Sequence, residues 1–350
     1  MTVHPLANVG VKVPALYPTA DRPLALPIPD PYVSRGLARL VAELRPDVVH
    51  AHNWIINSYL PLGAARRLPL VYSLHDYSHV CPTKRLMFED SLCSGPGVRK
   101  CFACTTDWYG AGRGPVIQSM VRSGRPIRNR VVDVFTPVST FVGEANQLDE
   151  QGVRWRVVPN FVPDSLLSIS SVPRDPELPA GDYLFFAGDL SEQKGVGTLV
   201  AAYAALDPAT RPELVMVGRS AMDLSSLPAG ARAEDKWDHE RIVSGFVHAR
   251  AAVLPSQWPD PCPTTVLEAM ALGAPLVTTH MGGIADMVSD GESALVVPPG
   301  DVAATAAALA RITSAAGLGE RLATQARVEV ERYLQSRVAA DFEEIYASLL

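Results

Sequence analysis

Two carboxylates eight positions apart, Asp260 and Glu268, are the residues whose types and spacing best suit chemistry in this chain. They lie in the stretch Ser256-Gln-Trp-Pro-Asp260-Pro-Cys-Pro-Thr264-Thr265-Val-Leu-Glu268-Ala-Met-Ala-Leu-Gly273. The apolar run Ala251 to Leu254 reads as a short buried strand, and Val266 to Leu272 as a helix stopped by Gly273. Free N–H groups and the positive end of the dipole favour an anion where that helix opens. Thr264 or Thr265 can cap it. One carboxylate can bind a pair of sugar hydroxyls while the other faces a reacting centre, with diphosphate oxygens held on the amides between them. The plainer alternative is an ordinary βα unit with a proline-rich loop.

The order of features resembles the acidic-x7-Glu motif of the family four glycosyltransferases, which are retaining enzymes of GT-B fold. Asp260 stands where that family usually has Glu. Leu276-Val-Thr-Thr279 reads as the next strand. Gly282-Gly283-Ile-Ala-Asp-Met-Val resembles the family's second glycine turn, and Asp290 to Asp301 the turn, strand and cap that follow. The resemblance implies that Glu268 binds the ribose and Asp260 faces the donor sugar. It implies further that the amides of Thr264, Thr265, Gly282 and Gly283 hold the diphosphate.

Composition fits this picture. The 350 residues suggest two domains. Hydrophobic residues make up 47%, enough for a sizeable core. A net charge of −6 argues against general nucleic-acid binding. No apolar stretch has membrane-spanning length and no signal peptide opens the chain, so the expected location is cytoplasmic.

The elements that must position these groups alternate strand and helix, which predicts an α/β fold with parallel sheets. Residues 1–30 read as irregular, with a strand at Val9 to Val13. Leu37, Leu40, Val41 and Leu44 have helical spacing. Asp47-Val-Val-His50 reads as a strand with His52 in the following loop, Ile56 to Arg67 as a helix, and Leu70 to Leu74 as a strand ending at His75. Val131 to Val138 and Arg156 to Val158 read as strands, with a helix capped by Ser139 between them. Ligands sit beyond the carboxyl ends of such strands. This half resembles the acceptor domain of the same family, which implies that His75 contacts the transferred sugar. His52 is a second candidate; either histidine could instead cap a strand. The family's opening strand, glycine-rich turn and helix are not found. The expectation is therefore a truncated first domain or a start that lies upstream.

Cys81, Cys93, Cys101 and Cys104 gather in one loop, with one further cysteine elsewhere. A Cys-x2-Cys pair with two more thiols suits a structural zinc or an iron–sulfur cluster; free thiols or one disulfide are the alternatives. Arg99, Lys100, Arg113, Arg122, Arg125, Arg128 and Arg130 face Asp107 alone between 99 and 130. That segment reads as a solvated basic face, or as a weak contact with an anionic membrane surface that would make the protein peripheral.

Residues 162–181, rich in Pro, Ser and Asp, read as a linker, with Asn160, a further candidate for binding the donor, ending the last strand before it. Tyr183 to Ala187 reads as a buried strand, followed by the loop Gly188-Asp189-Leu-Ser-Glu-Gln-Lys194-Gly195 and a helix. This resembles the family's strand–Gly-Arg-Leu-x3-Lys-Gly–helix, whose Arg and Lys neutralise the donor diphosphate. Gly188 and Lys194 match. Asp189 replaces the Arg, and Arg219 is a candidate to supply the missing charge. Phe342, Ile345, Tyr346 and Leu349 form an apolar stripe on a last helix.

The expected organisation is GT-B, with two Rossmann-like parallel-sheet domains facing a cleft and the first lacking its N-terminal strand, turn and helix. Residues 1–161 form the acceptor-side domain with its Cys-rich loop at 81–104. Residues 162–181 link it to a nucleotide-sugar domain at 182–332, and 333–350 return to the first domain. The resemblance implies retaining transfer of a hexosyl-type sugar from a nucleotide-sugar donor to a glycan, lipid-linked or small-molecule acceptor, with no cofactor needed for transfer. A catalytically silent sugar-nucleotide-binding subunit is the alternative.

Overall fold

The computed structural model of the chain describes residues 2–12, 26–89, 91–169 and 171–350. It divides into two compact units, Met1–Val158 with Phe342–Leu350, and Pro159–Asp341.

The first unit opens with a single helical turn, α1 (Val9–Lys12), where the sequence reads as a strand. The Asn8 side chain accepts from the Val11 amide and so favours a turn over an extended chain. Val13, the last residue of that expected strand, lies outside the described residues. Helix α2 (Pro31–Leu44) has Asp30 as its N-cap and Pro31 at its first position. The helix expected over 56–67 is only α3 (Ile56–Tyr59) and a later 3₁₀ turn, Gly63–Arg66. Pro61 cannot donate a helical hydrogen bond between them.

The strands β1 (Val49–His52), β2 (Leu70–Leu74) and β5 (Val134–Pro137) pair in parallel in the order β1-β2-β5. His52 is thus the last strand residue rather than a loop residue. Between β2 and β5 come a small hairpin, β3 (Met87–Phe88) with β4 (Ser91–Leu92), and two helices, α4 (Val98–Tyr109) and α5 (Gly114–Val131). Their close crossing needs Gly114, where a Cβ would lie 2.2 Å from the Thr105 carbonyl oxygen. Helix α6 (Thr140–Ala145) is capped by Ser139. Residues 156–158 run beside β5 through amide bonds to Phe135 and Pro137 without forming a regular strand.

The second unit is one six-stranded parallel sheet with the order β11-β10-β9-β6-β7-β8. Its strands are β6 (Tyr183–Ala187), β7 (Glu213–Val217), β8 (Ala231–Glu234), β9 (Ala251–Leu254), β10 (Leu276–Thr278) and β11 (Leu295–Val296). Its helices are α7 (Val196–Ala204), α8 (His239–Val247), α9 (Thr264–Ala271), α10 (Val302–Ser314) and α11 (Leu318–Glu329). The last helix, α12, spans Gln335–Ala347. All of Tyr-Leu-Phe-Phe-Ala in β6 is buried, as a strand covered on both faces requires. The chain starts at the centre with β6, runs outward through β7 and β8, then returns to lay β9 on the other side of β6. This reversal makes a crevice at the carboxyl ends of β6 and β9, the position where open α/β sheets bind ligands.

Residues 162–181 are not a free linker. Leu178 is buried. The Asp175 amide donates to Ser244 Oγ at 2.9 Å, and its carboxylate pairs with Arg241 at 3.0 Å. Polar composition suggested a solvated connection, but these polar groups find partners on α8. Among the described residues no single helix is long and apolar enough to cross a membrane.

The crevice depends on one close approach. Gly195, at φ +76°, would carry a Cβ 1.9 Å from the Pro255 carbonyl oxygen. Gly195→Ala is therefore expected to cost at least about 1–2 kcal/mol from left-handed strain alone. It should also push Lys194 away from the loop after β9. Thermal melting should show the loss as a lowered midpoint.

Candidate active site

A cavity of about 270 Å³ lies at this switch point, lined by Gly188, Asp189, Lys194, Ser256, Asp260, Thr264 and Thr265 among others. The loops that bound it are tied together by backbone. The Gln193 carbonyl accepts from the amides of Gln257 (2.9 Å) and Trp258 (3.0 Å). The hydroxyls of Thr278 and Thr279 hold the Leu254 and Ser256 carbonyls. These bonds bring Lys194 to Asp260, and the ammonium donates to Oδ2 of that carboxylate. Asp260 is only 6% exposed, so it needs this counter-charge.

Helix α9 begins at Thr264, two residues earlier than its apolar pattern suggests. Pro263 is its N-cap and no side chain caps it. Neither threonine therefore takes the capping role expected of it, and both face the cavity. Glu268 lies one turn further along, with His239 Nε2 3.5 Å from its carboxylate. Burial raises the Glu268 pKa, an effect partly offset by His239. The sequence reading missed His239. The available signal was Asp238, which caps α8 by accepting from the Arg241 amide and so fixes His239 as the first helical residue.

Three expected donor contacts have other partners. The Gly283 amide donates to the Asp260 carbonyl at 2.7 Å, so it braces the acidic loop instead of facing a phosphate. Gly282 serves the same end, since a Cβ there would lie 2.4 Å from the Asp260 carbonyl oxygen. Asn160 donates from Nδ2 to the Cys262 carbonyl at 2.8 Å and steadies the loop from behind. Arg219 pairs with Asp189 of the cavity lining, which holds its guanidinium at 3.3 Å through both carboxylate oxygens. The replacement of Arg by Asp at 189 therefore cancels the cation that was to compensate for it.

In the first unit β1 and β2 bring three histidines together. His52 Nδ1 lies 2.8 Å from His75 Nε2 with the rings stacked. His50 bonds Tyr346 and Ser73 at 2.7 Å each, and its ring centre is 4.3 Å from that of His52. Asp76, after His75, caps its own turn by accepting from the Ser78 amide.

The cysteines form no disulfide. Cys93 follows the β3–β4 hairpin, and Cys101 and Cys104 share one face of α4. Burial raises the thiol pKa of Cys101 and Cys104; Cys81 and Cys93 raise both further, and Cys101 also raises that of Cys104. The thiols turn to local partners, Cys81 to Thr83, Cys93 to the Gly95 carbonyl and Cys101 to the Gly97 amide. Among the described residues no three His, Cys, Asp or Glu side chains are gathered so as to hold a metal ion. The basic segment is not wholly a solvated face either. Arg128 is fully buried, donating to His79, Asn57 and the Val121 carbonyl.

Comparison with known proteins agrees with this geometry. Residues 3–161 match a glycosyl transferase 4-like domain, and residues 181–315 match the glycosyl transferases group 1. A glycogen synthase of Mycobacterium tuberculosis is 25% identical over 317 residues, covering 85% of this chain and 66% of that protein. A D-inositol 3-phosphate glycosyltransferase of an Arthrobacter species is 28% identical over 272 residues, covering 72% and 59%. The chain thus spans less than two-thirds of the length of either relative. Among solved structures, a sucrose-phosphate synthase from Thermosynechococcus elongatus superposes with a TM-score of 0.67 at 20% identity, over 91% of this chain and 77% of that one. Anabaena HepE in complex with UDP-glucose gives 0.65 at 17% identity, over 91% and 83%. The two matched domains and the parallel-sheet architecture together establish that the chain belongs to the family four glycosyltransferases, of GT-B fold.

Proposed function

We propose that the protein transfers a hexosyl-type sugar from a nucleotide-sugar donor to an acceptor hydroxyl with retention at the anomeric carbon. The observation that carries this reading is the cavity where Lys194, Asp260 and the start of α9 meet. Glu268 binds the ribose hydroxyls. Lys194 and the amides at Thr264 and Thr265 stabilise charge on the leaving diphosphate, the form of catalysis preorganised dipoles supply best. Lys194 exchanges Asp260 for phosphate as the donor enters, and Asp260 then faces the donor sugar. His75 contacts the transferred sugar. The UDP-glucose bound to HepE and the names of the two relatives support a nucleotide-sugar donor. The acceptor is a glycan, a lipid-linked sugar or a small molecule, and contact of segment 99–130 with an anionic surface belongs to the same proposal.

One observation favours a second reading, a sugar-nucleotide-binding subunit without turnover: the Asp189–Arg219 pair removes a cation from the rim. Calorimetry and product analysis with UDP-, GDP- and ADP-glucose separate the two. UDP-glucose is expected to bind and to release UDP, with the product keeping the donor's anomeric configuration. Binding of a donor with no release in any acceptor mixture would establish the second reading, and no binding at all would overturn both.

We also propose that Cys81, Cys93, Cys101 and Cys104 take a structural zinc ion or iron–sulfur cluster. What supports this is their confinement to one hairpin–helix neighbourhood where burial first and neighbouring thiols second make Cys101 and Cys104 harder to ionise, a cost that a bound cation removes. The side chains must turn from their local partners to reach one centre. Elemental analysis of protein purified without chelator or air is expected to give about one zinc, or one cluster, per chain. Less than roughly a tenth of an equivalent of any transition metal would overturn it.

Glu268 gives a sharper test of the donor site. Its raised pKa means that the carboxylate is lost at a higher pH than an ordinary glutamate's as the solution is acidified. Nucleotide affinity should therefore fall early on acidification, and Glu268→Gln should weaken UDP binding about tenfold or more and remove that pH dependence. Equal affinity in the folded variant would take Glu268 out of the site.

A further inference from the structure

The histidine cluster at the carboxyl ends of β1 and β2 carries an inference that rests on the donor-sugar reading of His75 and goes beyond it. Family resemblance supplies a role for His75 but none for the chain of contacts behind it. That chain is continuous. Thr136 Oγ1 bonds Ser73 Oγ at 2.7 Å, Ser73 bonds His50 Nε2, and His50 Nδ1 bonds the Tyr346 hydroxyl. Phe342 packs on the other side of His50, 4.9 Å between ring centres. The His50 ring is thus fixed at both nitrogens and on one flank. The His52 ring lies against it, 4.3 Å between centres and tilted by 33°, and reaches His75 with Nδ1.

We propose that His52 is a positioning residue, whose Nδ1–H donates to His75 Nε2 and holds His75 in the tautomer protonated at Nδ1. The geometry is a 2.8 Å contact between two ring nitrogens, one of which must carry hydrogen and the other a lone pair. His52 is exposed, with the His50 and His75 rings 4.3 and 5.1 Å from it between centres. Desolvation, with the charge of His75 as the lesser cause, draws the His52 pKa down to about 4. His50 falls to about 3 through desolvation and the charges of His52 and His75. Both stay neutral across the physiological range, so the contact is not a repelling pair of cations. With one hydrogen between the two ring nitrogens, His52 as its donor leaves His75 Nε2 as the acceptor. The consequence is that His75 meets the sugar with one ring plane and one proton position. The logic is that of any orienting partner behind an active histidine.

The test uses the full chain labelled with ¹⁵N-histidine. Imidazole nitrogen shifts near neutral pH are expected to report His75 as Nδ1–H in the wild type. His52→Phe, which keeps the ring stack on His50 but removes the bond, should turn His75 into a mixture of tautomers. His52→Asn places an amide donor where Nδ1 stood and should restore the single form. A wild-type His75 protonated at Nε2, or a His75 signal unchanged in His52→Phe, overturns the proposal. Turnover of UDP-glucose supplies a second readout. His52→Phe should lower kcat roughly ten- to a hundredfold with KM little changed, the range seen when a histidine's orienting partner is removed. In a His75→Ala background it should cost nothing more, which a merely structural role would not produce. Wild-type turnover in His75→Ala would instead defeat the assigned role of His75 while leaving the tautomer result standing, so the two failures are distinguishable.

Discussion

The ion pair between Lys194 and Asp260 is the interaction on which the second unit's site depends. A carboxylate as buried as Asp260 is costly to keep charged unless a cation meets it. That cation comes from a different βα unit, and its approach is possible only because Gly195 has no side chain to strike Pro255. The Gln193 carbonyl then fastens the two loops through Gln257 and Trp258. Glycines at 218 and 282 serve the same purpose around the crevice. At Gly218 a Cβ would sit 1.8 Å from the Gly188 carbonyl oxygen. The floor of the cavity is therefore backbone against backbone, which leaves the charged side chains as its functional lining.

The pair also sets the electrostatics a diphosphate would meet. Lys194 is already partnered, Arg219 is held by Asp189, and the start of α9 is uncapped. An entering anion finds free dipoles at α9 and must compete for the cations. Such a site favours ligands that bring their own replacement for the displaced contact, as a sugar hydroxyl does for the oxygens of Asp260.

The first unit is arranged differently. Its sheet has three described strands, and its polar centre is a stack of histidines braced by Ser73, Thr136 and Tyr346 rather than an ion pair. Arg128 is the structural counterpart of Lys194 there. It is a buried cation satisfied by His79, Asn57 and the carbonyl oxygens of His79 and Val121, and it ties α5 to the segment after β2. Its desolvation and its lack of a bonded carboxylate explain why it could be mistaken for a surface residue in a run of basic ones.

Hydrophobic patterning along the chain determined most of the strands of both sheets. Tyr183–Ala187 and Ala251–Leu254 appear with the bounds their apolar runs suggest, because a strand buried on both faces must be apolar throughout. The spacing of Asp260 and Glu268 and the glycine turns marked the site for the same reason: these are local demands on backbone and charge. Tertiary structure alone decided what each polar group faces. Ala231–Glu234 became an edge strand without any apolar signal, because pairing with β7 supplied its hydrogen bonds. Residues 162–181 became part of the second unit because Asp175 found partners on α8 and Leu178 became buried. Gly283 was spent on Asp260, Arg219 on Asp189 and His52 on His75, each through a contact between residues at least 23 positions apart. A hydrogen bond or ion pair is settled by distances of a few tenths of an ångström between such residues, and spacing along the chain carries no record of that.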